Sequence, residues 1–124
     1  MTDEIGPGAG TIEVESGDDA VAVLTLLGEH DLATADVLRA RLATTIKEHS
    51  AVVIDLSRSD FIDSSTLNAL AYAANHASDV GCPLVLQVGP GDVVRRVLEL
   101  TGMLDLIPHA ESREDALAAV REMR

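Results

Sequence analysis

An aspartate followed by three hydroxyl residues, Asp63-Ser64-Ser65-Thr66, stands where an apolar stretch gives way to a helical pattern. A serine hydroxyl beside a carboxylate has three uses. With a basic residue at hand it is a nucleophile; without one it accepts a phosphoryl group; and either side chain can cap a helix by accepting from the orphan amides of its first turn. Only His30 could serve as the base, and its position in a different loop makes that pairing weak. The whole pattern favours more than a cap, because the serine pair follows an apolar strand ending in Asp55-Leu56 and a Phe61-Ile62 pair.

The remaining candidates for chemistry are sparse. His30, His49, His76 and His109 are far apart, and none lies four residues from another histidine or a cysteine, so surface or capping roles account for them and no metal site is expected. Cys82 is the single cysteine and has no internal disulfide partner; it reads as a small buried hydrophobe. There is no Gly-x-Ser-x-Gly elbow and no Gly-x-x-x-x-Gly-Lys-Ser/Thr loop. Gly89-Pro90-Gly91 occupies a strand-to-helix turn, but Asp92 follows, and an anion there competes with phosphate for the same amides. Asp92 is expected to cap that helix. Neither an enzyme nor a cofactor is expected.

Composition narrows the partners. The 124 residues suit one domain, 47% of them hydrophobic but only 2% aromatic. A core of Val, Leu, Ile and Ala suits a sheet covered by helices, and aromatic platforms for stacking bases are missing. The net charge is −12, from 21 acidic and 9 basic residues. Asp3, Glu4, Glu13, Glu15, Asp18, Asp19, Glu29, Asp31 and Asp36 all precede the first basic residue, Arg39. Such a field repels nucleic acid and anionic membranes, and it suits either solubility or a partner with a basic surface. With no secretory signal and no apolar run of membrane-spanning length, a cytoplasmic location is expected.

These residues need elements to hold them. Residues 1–10, with three glycines and a proline, read as a flexible tail, and residues 11–15 as an edge strand. Residues 20–27, 51–56 and 83–88 are apolar runs of buried-strand type. Residues 34–48 carry Ala35, Leu38, Leu42 and Ile46 at helical spacing. After a loop, residues 57–63, a helix over residues 64–80 presents Leu67, Leu70, Ala71, Ala74 and Ala77, and Gly81 and Pro83 stop it. A helix carrying Val93, Val94, Val97, Leu98 and Thr101 follows and stops at Gly102. A short strand over residues 104–107 and a helix over residues 112–123, with Ala116, Leu117 and Val120 inward, complete the chain. Strand–helix–strand units of this kind form a mostly parallel sheet, and the loops at the carboxyl ends of its strands form the site. Those loops are residues 28–33, 57–65 and 89–92.

With these elements in place, the chain from Val21 to Val120 resembles the STAS-domain family, and within it the bacterial anti-anti-sigma factors, also called anti-sigma factor antagonists. Gly28-Glu29-His30-Asp31 resembles the family's Gly-Glu-hydrophobic-Asp motif, and Asp63-Ser64-Ser65-Thr66-Leu67 its Asp-Ser-Ser/Thr-Gly-Leu phosphorylation motif. Val94-Arg95-Arg96-Val97-Leu98, followed by Thr101-Gly102-Met103, resembles its third helix and exit turn. Thr66 and Asn68 stand where the family has small residues, and His30 where it has an apolar one.

The resemblance implies an α/β STAS-like fold, a single mixed, mostly parallel sheet covered by about four helices, over residues 11–124. It implies a protein that binds an anti-sigma factor, itself a serine kinase, and thereby frees a sigma factor. Phosphorylation of Ser65, in preference to Ser64 or Thr66, would break that complex, and a phosphatase of the PP2C type would restore it. Glu29, His30, Asp31, Asp63, Ser64, Ser65, Thr66 and Asn68 would form the contact surface. The alternative is a STAS accessory subunit of a lipid-transport ATPase or a signalling scaffold, in which Ser65 is only part of a helix cap. Nothing in the sequence sets the oligomeric state.

Overall fold

The computed structural model describes residues 10–124 and the backbone of residues 2–4. Three strands open the chain, β1 (Thr2–Glu4), β2 (Thr11–Ser16) and β3 (Val21–His30), followed by helix α1 (Leu32–Glu48). Strands β4 (Ala51–Asp55) and β5 (Ser59–Ile62) then lead into α2 (Ser64–Val80). After β6 (Leu84–Gln87) come α3 (Val93–Leu100), the single turn α4 (Met103–Leu106), β7 (His109–Ala110) and α5 (Arg113–Met123).

The sheet runs in the order β1-β2-β3-β4-β6-β7, and β5 pairs with the far end of β3. The β1–β2 and β2–β3 pairs are antiparallel; the β3–β4, β4–β6, β6–β7 and β3–β5 pairs are parallel. This is the mixed, mostly parallel α/β sheet anticipated from the strand–helix–strand order.

Alternation along β3 and β4 divides the core. Leu24, Leu26, Val52, Ile54 and Leu86 pack with Leu38, Leu42 and Ile46 of α1, Leu70, Ala73 and Ala77 of α2, and Val94 and Leu98 of α3. Val21, Val23, Ala51, Val53 and Val85 face the other way, where Ala116 and Val120 of α5 cover them. Leu24, Leu38, Leu42, Ile54, Leu70 and Leu86 are all fully buried.

Four local expectations need correction. Thr2–Glu4 is not tail but an edge strand, its residues registered against Glu13, Ile12 and Thr11, so that residues 11–15, expected at the edge, lie between β1 and β3; Met1 and residues 5–9 lie outside the described residues. The stretch read as a loop before Asp63 contains β5, of which only Ile62 is buried. Residues 104–107 are not a strand. Gly102, at φ +79, starts the turn α4 instead, and the edge strand is the two-residue β7. On α2 the buried face is Thr66, Ala69, Leu70, Ala73 and Ala77, while Leu67, Ala71 and Ala74 are only partly covered.

Candidate functional site

The parallel register of β3 and β5 sets His30 opposite Ile62. One residue further, each chain turns into a helix: Asp31 is the N-cap of α1 and Asp63 the N-cap of α2. Two helix N-termini therefore lie side by side at the carboxyl edge of the sheet, each closed by an aspartate. Asp31 Oδ1 accepts from Ala33 N at 2.9 Å, and the Thr34 hydroxyl oxygen accepts from Asp31 N at 3.2 Å in return. This box starts α1 two residues earlier than its apolar spacing indicates.

At α2 one carboxylate oxygen has several tasks. Asp63 Oδ1 accepts the Ser65 hydroxyl at 2.6 Å and the Thr66 amide at 3.1 Å, with the Thr66 hydroxyl at 3.4 Å. These bonds, the Ser65 hydroxyl foremost, hold the Asp63 carboxyl below its ordinary value of 3.8, with desolvation working against them. Removing the hydroxyl should release part of that shift. In Ser65→Ala, the Asp63 carboxyl pKa should rise toward 3.8, as read by carbon-detected NMR titration; an unmoved value would show that the bond is not formed in solution.

The three candidate acceptors differ in access. Ser64 is exposed, Ser65 half-buried, and Thr66 fully buried under the first turn of α2. Glu29, Asp31 and Asn68 are exposed, and Asp63 is half-buried. The structure thus brings six of the eight expected contact residues to one surface and removes two, Thr66 and His30.

His30 is neither a loop nor a surface residue; it closes β3 with no exposed area. Its Nε2–H donates to Leu27 O at 3.1 Å, and Nδ1 lies 3.2 Å from the Thr34 hydroxyl. Burial pushes the imidazole below its ordinary 6.5, opposed by the Leu27 carbonyl. Gly10 packs directly on the ring, so closely that a Cβ there would stand 2.5 Å from Glu29 O and against the imidazole itself. Gly10→Ala should therefore destabilise the fold by about 2 kcal/mol, through overpacking against backbone. A denaturant midpoint equal to the parent's would refute this packing.

The third loop departs from its expected cap. Asp92 precedes α3 but makes no side-chain bond to that helix; its Oδ2 instead accepts Gly89 N at 2.9 Å. An anion already occupies the amide that a phosphate loop would offer. No group of three or more His, Cys, Asp or Glu residues is placed to hold a metal ion, among the described residues.

Sequence reasoning missed an apolar component. Leu32 at the start of α1, Phe61 on β5 and Val93 at the start of α3 are 78%, 48% and 67% exposed. They emerge from the same three loops that carry the acidic residues. Phe61, the chain's single phenylalanine, was the available signal. Exposed acidic and apolar side chains thus emerge together from these loops, a combination common on surfaces that meet other macromolecules.

Comparison with known proteins agrees with this geometry. The family model for the STAS domain matches residues 11–116. BtrV of Bordetella bronchiseptica, which carries the name of an anti-sigma factor antagonist, is 37% identical over 105 residues, covering 83% of this chain and 89% of that protein. The anti-sigma-F factor antagonist RsfB of Mycobacterium tuberculosis is 33% identical, covering 83% and 84%. The crystal structure of an anti-sigma factor antagonist from Mycobacterium paratuberculosis superposes with a TM-score of 0.83 at 31% identity, covering 94% of this chain and 97% of that one.

Proposed function

This chain belongs to the STAS-domain family of anti-sigma factor antagonists, and from that we propose a partner switch controlled at Ser65. In the unmodified state the acidic and apolar edge binds an anti-sigma factor that is itself a serine kinase, and so releases a sigma factor. Phosphorylation of Ser65 ends that complex, and a PP2C-type phosphatase renews it. The observation that carries the reading is the position of Ser65: a half-buried hydroxyl in the first turn of α2, bonded to the capping Asp63, on the sheet edge where Asp31 caps α1 and where Leu32 and Phe61 are exposed.

The electrostatics support a switch by modification alone. A phosphate adds a charge of about −1.5 to −2. In the free chain the α2 N-terminus offsets part of the repulsion. Against a partner, with Glu29, Asp31 and Asp63 nearby, the dianion must lose water in a field of its own sign. Thr66, being buried, is not an alternative acceptor.

Affinity capture from the native lysate with the parent chain and Ser65→Glu tests the proposal. A kinase-fold anti-sigma factor held by the parent and lost by the variant is expected. Capture of the same transporter ATPase by both would replace the switch with the accessory-subunit reading.

A further inference from the structure

Resting on that reading of Ser65, we infer that Asp63 is the positioning residue of the phosphoryl acceptor. It fixes the Ser65 hydroxyl in one rotamer through the 2.6 Å bond to its Oδ1, and modification must then drive the serine side chain out of that rotamer.

An ionised carboxylate only accepts, so the single hydroxyl hydrogen of Ser65 points at Asp63. The serine lone pairs are thereby turned away from Asp63, presented for attack. The carboxylate is itself held from the other side, because the same Oδ1 accepts the Thr66 amide, and Thr66 is buried. Asp63 thus links the rigid first turn of α2 to the mobile end of a serine side chain. Its held-down acidity keeps this arrangement intact through mildly acidic conditions. Neither of the other two hydroxyls shares this combination: Ser64 is exposed, and Thr66 Oγ1 lies 3.4 Å from Asp63 beneath the turn.

In the transfer, the Ser65 Oγ–P bond forms as the terminal phosphoanhydride bond of a nucleoside triphosphate breaks. The diphosphate leaves and the hydroxyl proton is released to water. The product has no hydrogen to give to Asp63, and it carries a dianion where the bond was. Two acceptors cannot remain 2.6 Å apart. Asp63 is anchored by the Thr66 amide, whereas a serine χ1 turns freely, so the serine moves.

The test uses the full chain and two readouts. Hα–Hβ couplings of Ser65, measured by NMR, should report one rotamer in the parent and averaging in Asp63→Gly, a replacement that Gly tolerates at an N-cap at little cost to the helix. In native lysate supplied with a nucleoside triphosphate, mass spectrometry should show phosphate entering Ser65 about tenfold more slowly in Asp63→Gly. Averaged couplings in the parent, or a single rotamer kept in the variant, would overturn the inference. Those couplings are also measurable on parent chain alone, should the variant fail to fold. Absence of phosphate from the parent in lysate, with the rotamer locked as described, would count against the partner switch and reduce Asp63 to a lock on the Ser65 rotamer.

Discussion

A chain carrying phosphoserine at position 65 should bind its anti-sigma partner at least a hundredfold more weakly than the unmodified chain. That factor corresponds to about 2.7 kcal/mol. Two contributions supply it. The first is repulsion: Asp63 touches Ser65, Glu29 and Asp31 lie at the end of β3 that pairs with β5, and the chain as a whole carries a net charge of −12. Additional charge of about −2 at this point opposes any partner that must come close enough to cover it. The second is desolvation, which costs several kcal/mol per ion when a complex closes over a charge without a matched cation. Calorimetry with the captured partner and chain bearing translationally incorporated phosphoserine measures the sum. Phosphoserine at position 64, on the exposed side of the same turn, should cost much less, which separates position from bulk charge. Equal affinities for the 65-modified and unmodified chains would eliminate the switch.

The site was legible in the sequence wherever local chemistry decided it. The bounds of α2 follow from residues that act within one turn: Asp63 caps the start, and Gly81 ends the helix at φ +74, its amide donating to Ala77 O and Ser78 O. The acidic loops follow from strand ends, since parallel strands deliver their connections to one edge. What was not legible depends on partners distant in sequence. β5 shows no alternation because it meets only the end of β3 and buries one residue of its four. β1 exists by pairing with β2, across a stretch whose glycines and proline read as tail. His30 is accommodated without exposure because Gly10 lies on its ring and Leu27 O and the Thr34 hydroxyl meet its two nitrogens, partners that the sequence does not announce. The Leu104–Leu106–Ile107 spacing imitates a strand, but a left-handed Gly102 turns the backbone into α4 first.

These long-range pairings also create the surface on which the second large effect is expected. β5 exists to carry Phe61 outward beside Asp63, and Leu32 and Val93 lead the two neighbouring helices toward solvent. Phe61→Ala should weaken the anti-sigma complex about thirtyfold while lowering stability by only about 1 kcal/mol. An aromatic side chain buries roughly 150–250 Å² when fully covered. Phe61 keeps 48% of its surface exposed in the free chain. Covering the remainder, about 100 Å², contributes about 2.5 kcal/mol at 25 cal/mol per Å². Incomplete coverage lowers this toward the 2 kcal/mol typical of an interface hot spot. Stability should fall less than affinity, by about 1 kcal/mol, because the half of Phe61 covered in the free chain lies on a short strand whose only buried residue is Ile62 and whose surroundings can close over the gap. Titration calorimetry and a denaturant midpoint on the same preparation measure both quantities. A loss of affinity in a variant that stays fully folded at the assay temperature places the partner on Phe61. Unchanged affinity in both Phe61→Ala and Val93→Ala would move the contact away from α3 and β5, and would leave the acidic rim around Ser65 as the whole of the recognition surface.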